Sequence, residues 1–485
     1  MIYIPTIGIE THVQLATQSK MFCGCAARYA DAPPNTHVCP VCMGAPGALP
    51  VINAQAIDYT ILTGLALNCT INRFSRFDRK NYPYPDLVKG YQISQYDHPL
   101  CTNGYLEFGD DGQRVHIRRI HLEEDTAKLT HLTDESGTGE SLIDVNRSGV
   151  PLMEIVGEPD LHTPVDARRY LQALRLVLLT IGITSGNLEE GAIRFDINVS
   201  IHQKDSQELG AKVEIKNLNS FRAVQRALEF EIDRQIDALE HGRPVIQETR
   251  GWLEEKGITV SQRTKEYAHD YRYFPEPDLP PLILTDDKIT HLRAQLPELP
   301  QVRKQRLVQV NGLSSNDAQT IAHDPSIASY FDHMLAEHAP QKLAANWLLN
   351  DLLGLLNGHP ELLETCPVTP ARLTTLIKLV QQGTISTTIG RQVLAKVLEQ
   401  DADPDVIVIR EGLVIVSDSR ELERLITEAI TANQKALADY LNGKEAAFNS
   451  FIGPVMKATK GKANPTTVRE LLRQALDRYR QSTHL

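Results

Sequence analysis

The chain of 485 residues is as informative for what it lacks as for what it contains. No stretch approaches the roughly 18 consecutive apolar residues of a membrane-spanning helix, which excludes an integral protein built on such helices. The opening MIYIPTIGIETHVQL has no basic region leading into a continuous apolar core, which argues against a secretory signal and for the cytoplasm. A GxxxxGKS/T loop is missing, so no nucleotide is held by a Walker-type phosphate cradle. A GxSxG elbow and a Cys-His glutaminase pattern are also missing, which removes the familiar nucleophiles for acyl transfer. Internal repeats and low-complexity segments are absent. Positive charge is in deficit, with a net charge of −11, and a uniformly acidic chain is a poor ligand for phosphate backbones.

What is present describes a globular protein of several domains. Apolar residues make up 42% and charged residues 23%, and the length exceeds what one hydrophobic core usually serves. The first 290 or so residues read largely as strands and loops. Phe195, Ile197, Val199 and Ile201 alternate with Arg194, Asp196, Asn198, Ser200 and His202, the period of two of a half-buried strand. Val213 and Ile215 continue that pattern. Residues 217–220 then offer caps for a helix in which Phe221, Val224, Leu228, Ile232, Ile236 and Leu239 recur at helical spacing, ending at Gly242-Arg243-Pro244. The proline-dense YFPEPDLPPL predicts a rigid extended passage near the end of this domain. From about Leu296 the pattern is helical, with Thr369-Pro370 opening one helix that stops at Gly383. A further boundary is expected near Asp401-Ala402-Asp403-Pro404. The last helix is predicted to open on the capping box Thr467-x-x-Glu470 and to present Val468, Leu471, Leu472, Ala475, Leu476 and Tyr479 on its apolar stripe. The expected division is a first domain over 1–294, a helical domain over 295–404 and a small helical tail over 405–485.

Four of the seven cysteines form two close pairs, Cys23-Gly24-Cys25 and Cys39-Pro40-Val41-Cys42. Two such pairs can bring four thiolates around one Zn²⁺, and four protein ligands leave no open position for substrate, so the expected role is structural. Disulfides are the competing use, but Cys69, Cys101 and Cys366 are scattered singly, unlike an oxidised scaffold.

Titratable groups gather on candidate strands. Glu10 and His12 share the polar face of a strand whose other face carries Ile7, Ile9, Val13 and Leu15, which sets them about 7 Å apart. The run His121-Leu122-Glu123-Glu124-Asp125, at the end of a strand over Val115 to Leu122, packs three carboxylates together. Like charges so close call for a cation, and Mg²⁺ suits hard oxygen ligands and phosphates; a solvated acidic loop is the alternative. Asp144-Val145-Asn146-Arg147, Glu154, Glu158-Pro159-Asp160 and the face of Arg194, Asp196 and Asn198 form further polar groups. Arg79 and Lys80 in FDRKNYPYPD, and Lys216 in EIKNLNSF, supply positive charge for phosphates and carboxylates, or serve as surface ion-pair partners. At the C-terminus, seven basic residues from Gly453 onward face only Glu470 and Asp477, a local surplus that is either an RNA footprint or a solvated helix face.

The segments GIETHVQL, KMFCGC, CPVCMGAPGALPVIN, FDRKNYPYPDLVKGYQISQ, HLEEDTAKLTH, DVNRSGVPLMEIVGEPD, RFDINVS, EIKNLNSF and DYRYFPEPD, with MKATKGKANP in the tail, together resemble the GatB family, the B subunits of the aspartyl/glutamyl-tRNA(Asn/Gln) amidotransferases. Thr11 departs from the apolar residue frequent there, and Thr126-Ala127 from the usual Ala-Gly. The resemblance implies an α+β protein, with an antiparallel-sheet catalytic domain similar to glutamine synthetase followed by all-α helical and small helical tail domains. It implies an ATP- and Mg²⁺-dependent ligase. The side-chain carboxylate of Glu on tRNA(Gln), or of Asp on tRNA(Asn), is phosphorylated and then amidated with ammonia. The ammonia comes from the amidase (A) subunit of the same enzyme, and the small (C) subunit completes the heterotrimer. A small-molecule ligase and a non-catalytic tRNA-binding scaffold are the competing functions. Carried onto this sequence, the resemblance implies Glu10, His12 and Glu124 as Mg²⁺ ligands with Glu123 and Glu154 nearby, the choice between Glu123 and Glu124 staying open. Lys80, Arg147 and Lys216 would neutralise phosphate charge, Asp196, Asn198 and Tyr82 would bind nucleotide, and Lys457, Lys460, Lys462, Arg469 and Arg473 would hold tRNA.

Overall fold

Alternation makes the strand Tyr3–Gln14 the spine of the first half of the protein. Ile7, Ile9 and Val13 are buried on one side, while Glu10, His12 and Gln14 stay half-buried on the other. Each such aliphatic side chain contributes roughly 1.5–3 kcal/mol by leaving water. A one-residue slip would exchange the two faces, so this burial fixes register. The computed structural model describes residues 2–109, 112–133, 139–206, 208–264, 271–414, 419–459, 463 and 465–483. Two compact units are formed, Met1–Gln301 and Val302–Leu485.

In the first unit, Tyr3–Gln14 lies between Pro151–Gly157 and Ile193–Gln203 in a nine-stranded sheet. Neighbouring strands run antiparallel at every junction but one, that of Val213–Lys216 with Glu248–Leu253, which is parallel. A parallel step needs a crossover, and the helix Phe221–Glu240 provides it, capped by Ser220, whose hydroxyl accepts from the Ala223 amide. Two helices that the sequence pattern did not single out, Ala54–Ala66 and Pro164–Thr180, join it on the apolar face of the sheet. Their caps were readable: Asn53 accepts from the Gln55 and Ala56 amides, and Thr163 precedes Pro164 at the first helical turn. The mixed α/β architecture thus leaves the other face of the sheet for polar chemistry.

The short strands Asp78–Asn81, Tyr91–Ser94 and Phe274–Pro275 form a small separate sheet. Phe274–Pro275 belongs to the proline-dense passage, whose rigidity suits an edge strand. Helical character begins earlier than Leu296, at Asp286–Ala294, because Ile289 and Leu292 complete the core of the first unit.

The second unit is helical. One cluster runs from Leu307 to Val408 and another from Leu422 to Leu476. Thr369 caps Pro370–Gln381 through the Arg372 amide, and Gly383 follows with φ +73°. Ile407 and Val408, on the helix Pro404–Arg410, are buried in the first of these clusters. The terminal helix spans Pro465–Thr483, so Thr467 and Glu470 lie inside it and are not its capping box. Proline presets the φ of a first turn and moves the first helical residue from the expected Val468 three residues upstream. Val468, Leu472 and Leu476 are fully buried, as the stripe requires. Among the described residues, no helix is long and apolar enough to cross a membrane.

Candidate active site and metal centres

Cross-strand register builds the site on the polar face. His12 lies opposite Glu154, which lies opposite His121 on the strand Gln113–Glu124; Glu10 lies opposite Asp196 and Val156, and Gly8 opposite Asn198. His12 Nε2 is 3.5 Å from Glu154 Oε2 and 3.9 Å from Glu123 Oε1, and His121 Nε2 is 3.2 Å from the same Glu154 oxygen. One ligand atom from each of His12, Glu123 and Glu154 falls within 4.8 Å of the others. Glu10 stands beside them, its Oε1 accepting a 3.2 Å hydrogen bond from Asn198 Nδ2.

The electrostatics show an unbalanced cluster. Burial disfavours charge on His12, yet its hydrogen bond and attraction to Glu154, with Glu123 and Asp196 behind, push its pKa up to about 9. Burial likewise opposes ionisation of Glu154, but His121 and His12 hold it well below the usual carboxylate range. Glu10 is raised, first by burial and then by Glu154 and Asp196. Lys80 is raised against the pull of burial by Glu123, Tyr273 and Glu154, and its ammonium lies 5.0 Å from the Tyr271 ring centre and 5.9 Å from that of Tyr82. Acids crowded so that one raises the pKa of another fit a divalent cation, which would relieve the repulsion. The donor set of two carboxylates and an imidazole, with a third carboxylate adjacent, is chemically suited to one.

Glu124 is not among these groups. Two residues after Leu122, on the core-facing side of the strand, it is 3% exposed, forms an ion pair with Lys89 and accepts a 3.0 Å hydrogen bond from the Ile93 amide. The strand continues through Glu124 instead of turning at Leu122, so parity sends Glu123 to His12 and Glu124 to the opposite face. Asp125 returns to the polar side, where Gln14 Nε2 at 2.8 Å, Arg194 Nη2 at 2.7 Å and Arg147 Nε at 3.6 Å surround it. Arg147 also donates to the carbonyls of Thr126 and Ala127, at 2.9 and 2.8 Å, and so braces the chain that follows the acids. Lys216 lies 2.8 Å from Asp196 Oδ2 and 3.4 Å from Glu214 Oε1.

Other polar groups of the sequence serve elsewhere. Asp144 and Asn146 secure the loop near residue 35: Asn35 N donates to Asp144 Oδ1 at 3.0 Å and His37 N to Asn146 Oδ1 at 2.7 Å. Glu158 pairs with Arg118 and Asp160 with His116 on the surface. Arg79 is held by Glu276 at 2.7 Å and lies over the Tyr91 ring. The sequence pattern named His121 in the acidic run without giving it a role, and passed over Lys89, Arg194 as a partner of Asp125, and the tyrosines 271 and 273 as parts of the site. Alternation along Gln113–Glu124 could have found His121, which is two residues from Glu123; the rest are brought in by distant strands.

The second centre is the cysteine quartet, whose four Sγ atoms lie within 4.8 Å of one another. Tetrahedral Zn²⁺ with bonds of about 2.3 Å implies sulfur separations of roughly 3.8 Å, and Cys42 to Cys39 is 3.9 Å. A hydrogen bond from the Cys23 thiol, the Cys39 amide and nearby Lys20 hold Cys42 down at about 4. Lys20 is fully buried, donating to the His37 carbonyl at 2.8 Å, a cation placed beside prospective thiolates. The quartet fits a closed structural zinc.

In the tail, Lys457, Arg469 and Arg473 are exposed, and the Arg473 guanidinium sits 5.7 Å from the Phe448 ring centre. Lys460 and Lys462 lie outside the described residues.

A face of carboxylates and imidazoles on a largely antiparallel sheet, with lysines beside it, is equipped to hold a cation and to neutralise a phosphoryl group, the working parts of an ATP-handling enzyme. Comparison with known proteins makes this specific. The GatB/GatE catalytic domain family matches residues 5–290, and the GatB domain family residues 329–476. Proteins named as the B subunit of aspartyl/glutamyl-tRNA(Asn/Gln) amidotransferase match this chain over nearly their whole length. That of Thermomicrobium roseum is 53% identical over 97% of this chain and 98% of its own. Those of Carboxydothermus hydrogenoformans and Dehalococcoides mccartyi are 48% and 49% identical, each over 98% of this chain and 99% of their own. The chain belongs to the GatB family of amidotransferase B subunits, which are components of a ligase complex in protein biosynthesis.

Proposed function

We propose that the protein activates the side-chain carboxylate of Glu on tRNA(Gln), or of Asp on tRNA(Asn), by ATP-dependent phosphorylation and then passes it to ammonia. The carrying observation is the convergence of His12, Glu123 and Glu154 beside Glu10 and Lys80. A carboxylate is a poor electrophile, and phosphorylation supplies the leaving group that ammonia displaces. Mg²⁺ held by His12, Glu123 and Glu154, with Glu10 adjacent, would supply charge neutralisation for the transferring phosphoryl group. Lys80 adds a second positive charge at the same cluster, and its aromatic surroundings keep that charge poorly hydrated and strong. Lys216, tethered by Asp196, presents another cation along the strand. Arg147 and Arg194 fix Asp125 and thereby the chain carrying Glu123.

The first unit would follow the glutamine synthetase plan, with the quartet Cys23, Cys25, Cys39 and Cys42 closing a zinc knot. Residues 295–404 and 405–485 would act as a linker module and a tRNA-binding module. The amidase (A) subunit would release ammonia from glutamine, which accords with the lack of a glutaminase nucleophile here, and the small (C) subunit would complete a cytoplasmic heterotrimer. The test is reconstitution with ATP, Mg²⁺, glutamine and each mischarged tRNA. A complex carrying Glu10→Ala should still hydrolyse glutamine but form no Gln-tRNA or Asn-tRNA. Normal amide formation by that complex would instead identify the chain as a scaffold, and amidation of free glutamate or aspartate would identify a small-molecule ligase.

A further inference from the structure

Lys80 lies on a strand with little main-chain support on one side. The strand Asp78–Asn81 is four residues long, and Phe274–Pro275, which pairs with its first half, is two. Proline brings no amide to a ladder, so backbone bonding between them is sparse. Side chains complete the attachment. Arg79 forks onto Glu276, with Nε 2.7 Å from Oε2 and Nη2 2.8 Å from Oε1, and Nη2 also donates to Asp278 at 3.2 Å. Two parallel bonds of this kind fix orientation as well as distance. The Glu276 side chain is fully buried, and a buried carboxylate deprived of its cation is strongly destabilising, so the fork is held closed. The same guanidinium lies 4.2 Å from the centre of the Tyr91 ring, on the strand that flanks Asp78–Asn81 on its other side.

Neighbouring residues of a strand point to opposite sides, so the fork at Arg79 dictates where Lys80 goes. On that far side the Lys80 ammonium meets the rings of Tyr271 and Tyr82, within the field of Glu123 and Glu154. Tyr271 and Tyr273 both belong to the segment that the fork ties down. Their rings continue as a wall: Tyr82 meets Tyr271 edge-on at 5.9 Å, Tyr271 meets Tyr273 at 6.0 Å, and Tyr273 stacks on Tyr96 at 4.3 Å. Asn81 ties the start of the segment, its amide donating to the Tyr271 carbonyl at 2.9 Å and its Nδ2 to the Arg272 carbonyl at 2.9 Å. At the other end the Glu276 amide donates to the Phe77 carbonyl at 2.9 Å. One ion pair therefore joins the strand that bears the lysine to the segment that bears the rings around it.

We infer that Arg79 and Glu276 are positioning residues for phosphoryl transfer, their fork setting the Lys80 ammonium and its tyrosine wall in place against the acids. Arg79 turns its own charge to Glu276, so it acts through Lys80 and makes no contact with the phosphoryl group. Lysine at position 79 would keep the charge but lose the planar fork, and with it the fixed direction. Charge neutralisation works through groups held in place before the reaction, and a misplacement of about 1 Å far from the chemistry costs up to about a hundredfold in rate. This inference rests on the reading of Lys80 as a cation that neutralises the transferring phosphoryl group.

The test uses the reconstituted amidotransferase complex carrying Glu276→Gln, Arg79→Lys or Lys80→Met. Glu276→Gln keeps the side-chain volume and an acceptor for Arg79, which guards against a folding failure. Both fork variants should lower kcat for ATP-dependent amide formation roughly tenfold to a hundredfold. The KM for ATP and for aminoacyl-tRNA should hold, as should Mn²⁺ binding at His12, Glu123 and Glu154, whereas a general loss of structure would move all of them together. Fluorine NMR of the chain made with meta-fluorotyrosine gives a readout independent of activity. The Tyr273 resonance, assigned through Tyr273→Phe, should shift in Glu276→Gln toward that of a solvent-exposed ring. Wild-type kcat in both fork variants, an unmoved Tyr273 resonance, or Mn²⁺ binding lost in step with kcat would each overturn the inference. If Lys80→Met is impaired in those cases, the functional reading stands and the inference fails alone. Wild-type kcat in Lys80→Met would instead remove Lys80 from the reaction, and the inference with it.

Discussion

Neutralising Glu123 and neutralising Glu124 should have opposite consequences, although the two residues are adjacent. Glu124 is 3% exposed, accepts from the Ile93 amide and balances the ammonium of Lys89. Gln at this position keeps an acceptor for the amide but leaves Lys89 without its counter-charge. Breaking a buried ion pair from one side costs about 3–5 kcal/mol. The Lys89 side chain keeps 12% of its exposure, which places the loss near the lower end, about 3 kcal/mol. For a unit of this size each kcal/mol moves Tm by about 2 °C, so calorimetry should show the first unit melting about 6 °C lower. The double variant Glu124→Gln with Lys89→Met should regain most of that, since the uncompensated ammonium is gone while the acceptor for the Ile93 amide is kept. Glu123→Gln leaves His12 and Lys80 with Glu154 as a remaining counter-charge, so it should lower Tm less than Glu124→Gln. It should, however, weaken binding of Mn²⁺, used as a paramagnetic stand-in for Mg²⁺, whereas Glu124→Gln should bind it normally. An unchanged Tm with abolished Mn²⁺ binding for Glu124→Gln, and the reverse for Glu123→Gln, would refute the placement of these carboxylates on opposite faces.

Three further outcomes are expected. Gly104→Ala, in the strand Cys101–Phe108, should destabilise the first unit by about 1–3 kcal/mol or more in chemical denaturation, because its Cβ would meet Cys69 Sγ at 2.2 Å and the Leu67 carbonyl at 2.5 Å; wild-type stability would mean that this strand and the turn after helix Ala54–Ala66 do not approach so closely. Cys39→Ser should abolish the zinc measured by elemental analysis and lower the melting temperature, with chelation of the wild type having the same effect, since metal affinity for the native site is stability; a zinc-free wild type would count against the metal knot. Arg469→Glu with Arg473→Glu should weaken tRNA binding and flatten its dependence on salt by about 0.7–0.9 in log-log slope for each phosphate the helix no longer neutralises. An identical slope would remove the terminal helix from the RNA interface.

Much of the first unit was legible because its central strands carry strict alternation. The apolar series Ile7, Ile9, Val13 and Phe195, Ile197, Val199, Ile201 could face only a core, which leaves Glu10, His12, Asp196 and Asn198 on a common polar side. Helix Phe221–Glu240 was legible for a similar reason, its caps and period agreeing. Ala54–Ala66 was harder: nearly every residue from Thr60 onward is buried, so no polar face marks its period. The terminal helix misled at its start because a capping-box pattern and a proline lay two residues apart, and the proline decided.

The sequence by itself determined the family, the apolar core of the strands, the thiol quartet as a candidate metal knot and the faces of residues within a strand, since composition, spacing and parity are local properties. Only the tertiary structure decided which carboxylate joins His12, because that depended on whether the strand continued past Leu122 and on Lys89 waiting on the far side. It also decided that His12 and His121 share one oxygen of Glu154, that Arg147 braces the chain after the acids, and that a cavity opens beside Glu10. These are meetings between strands distant in sequence, set by the register in which the buried faces mate.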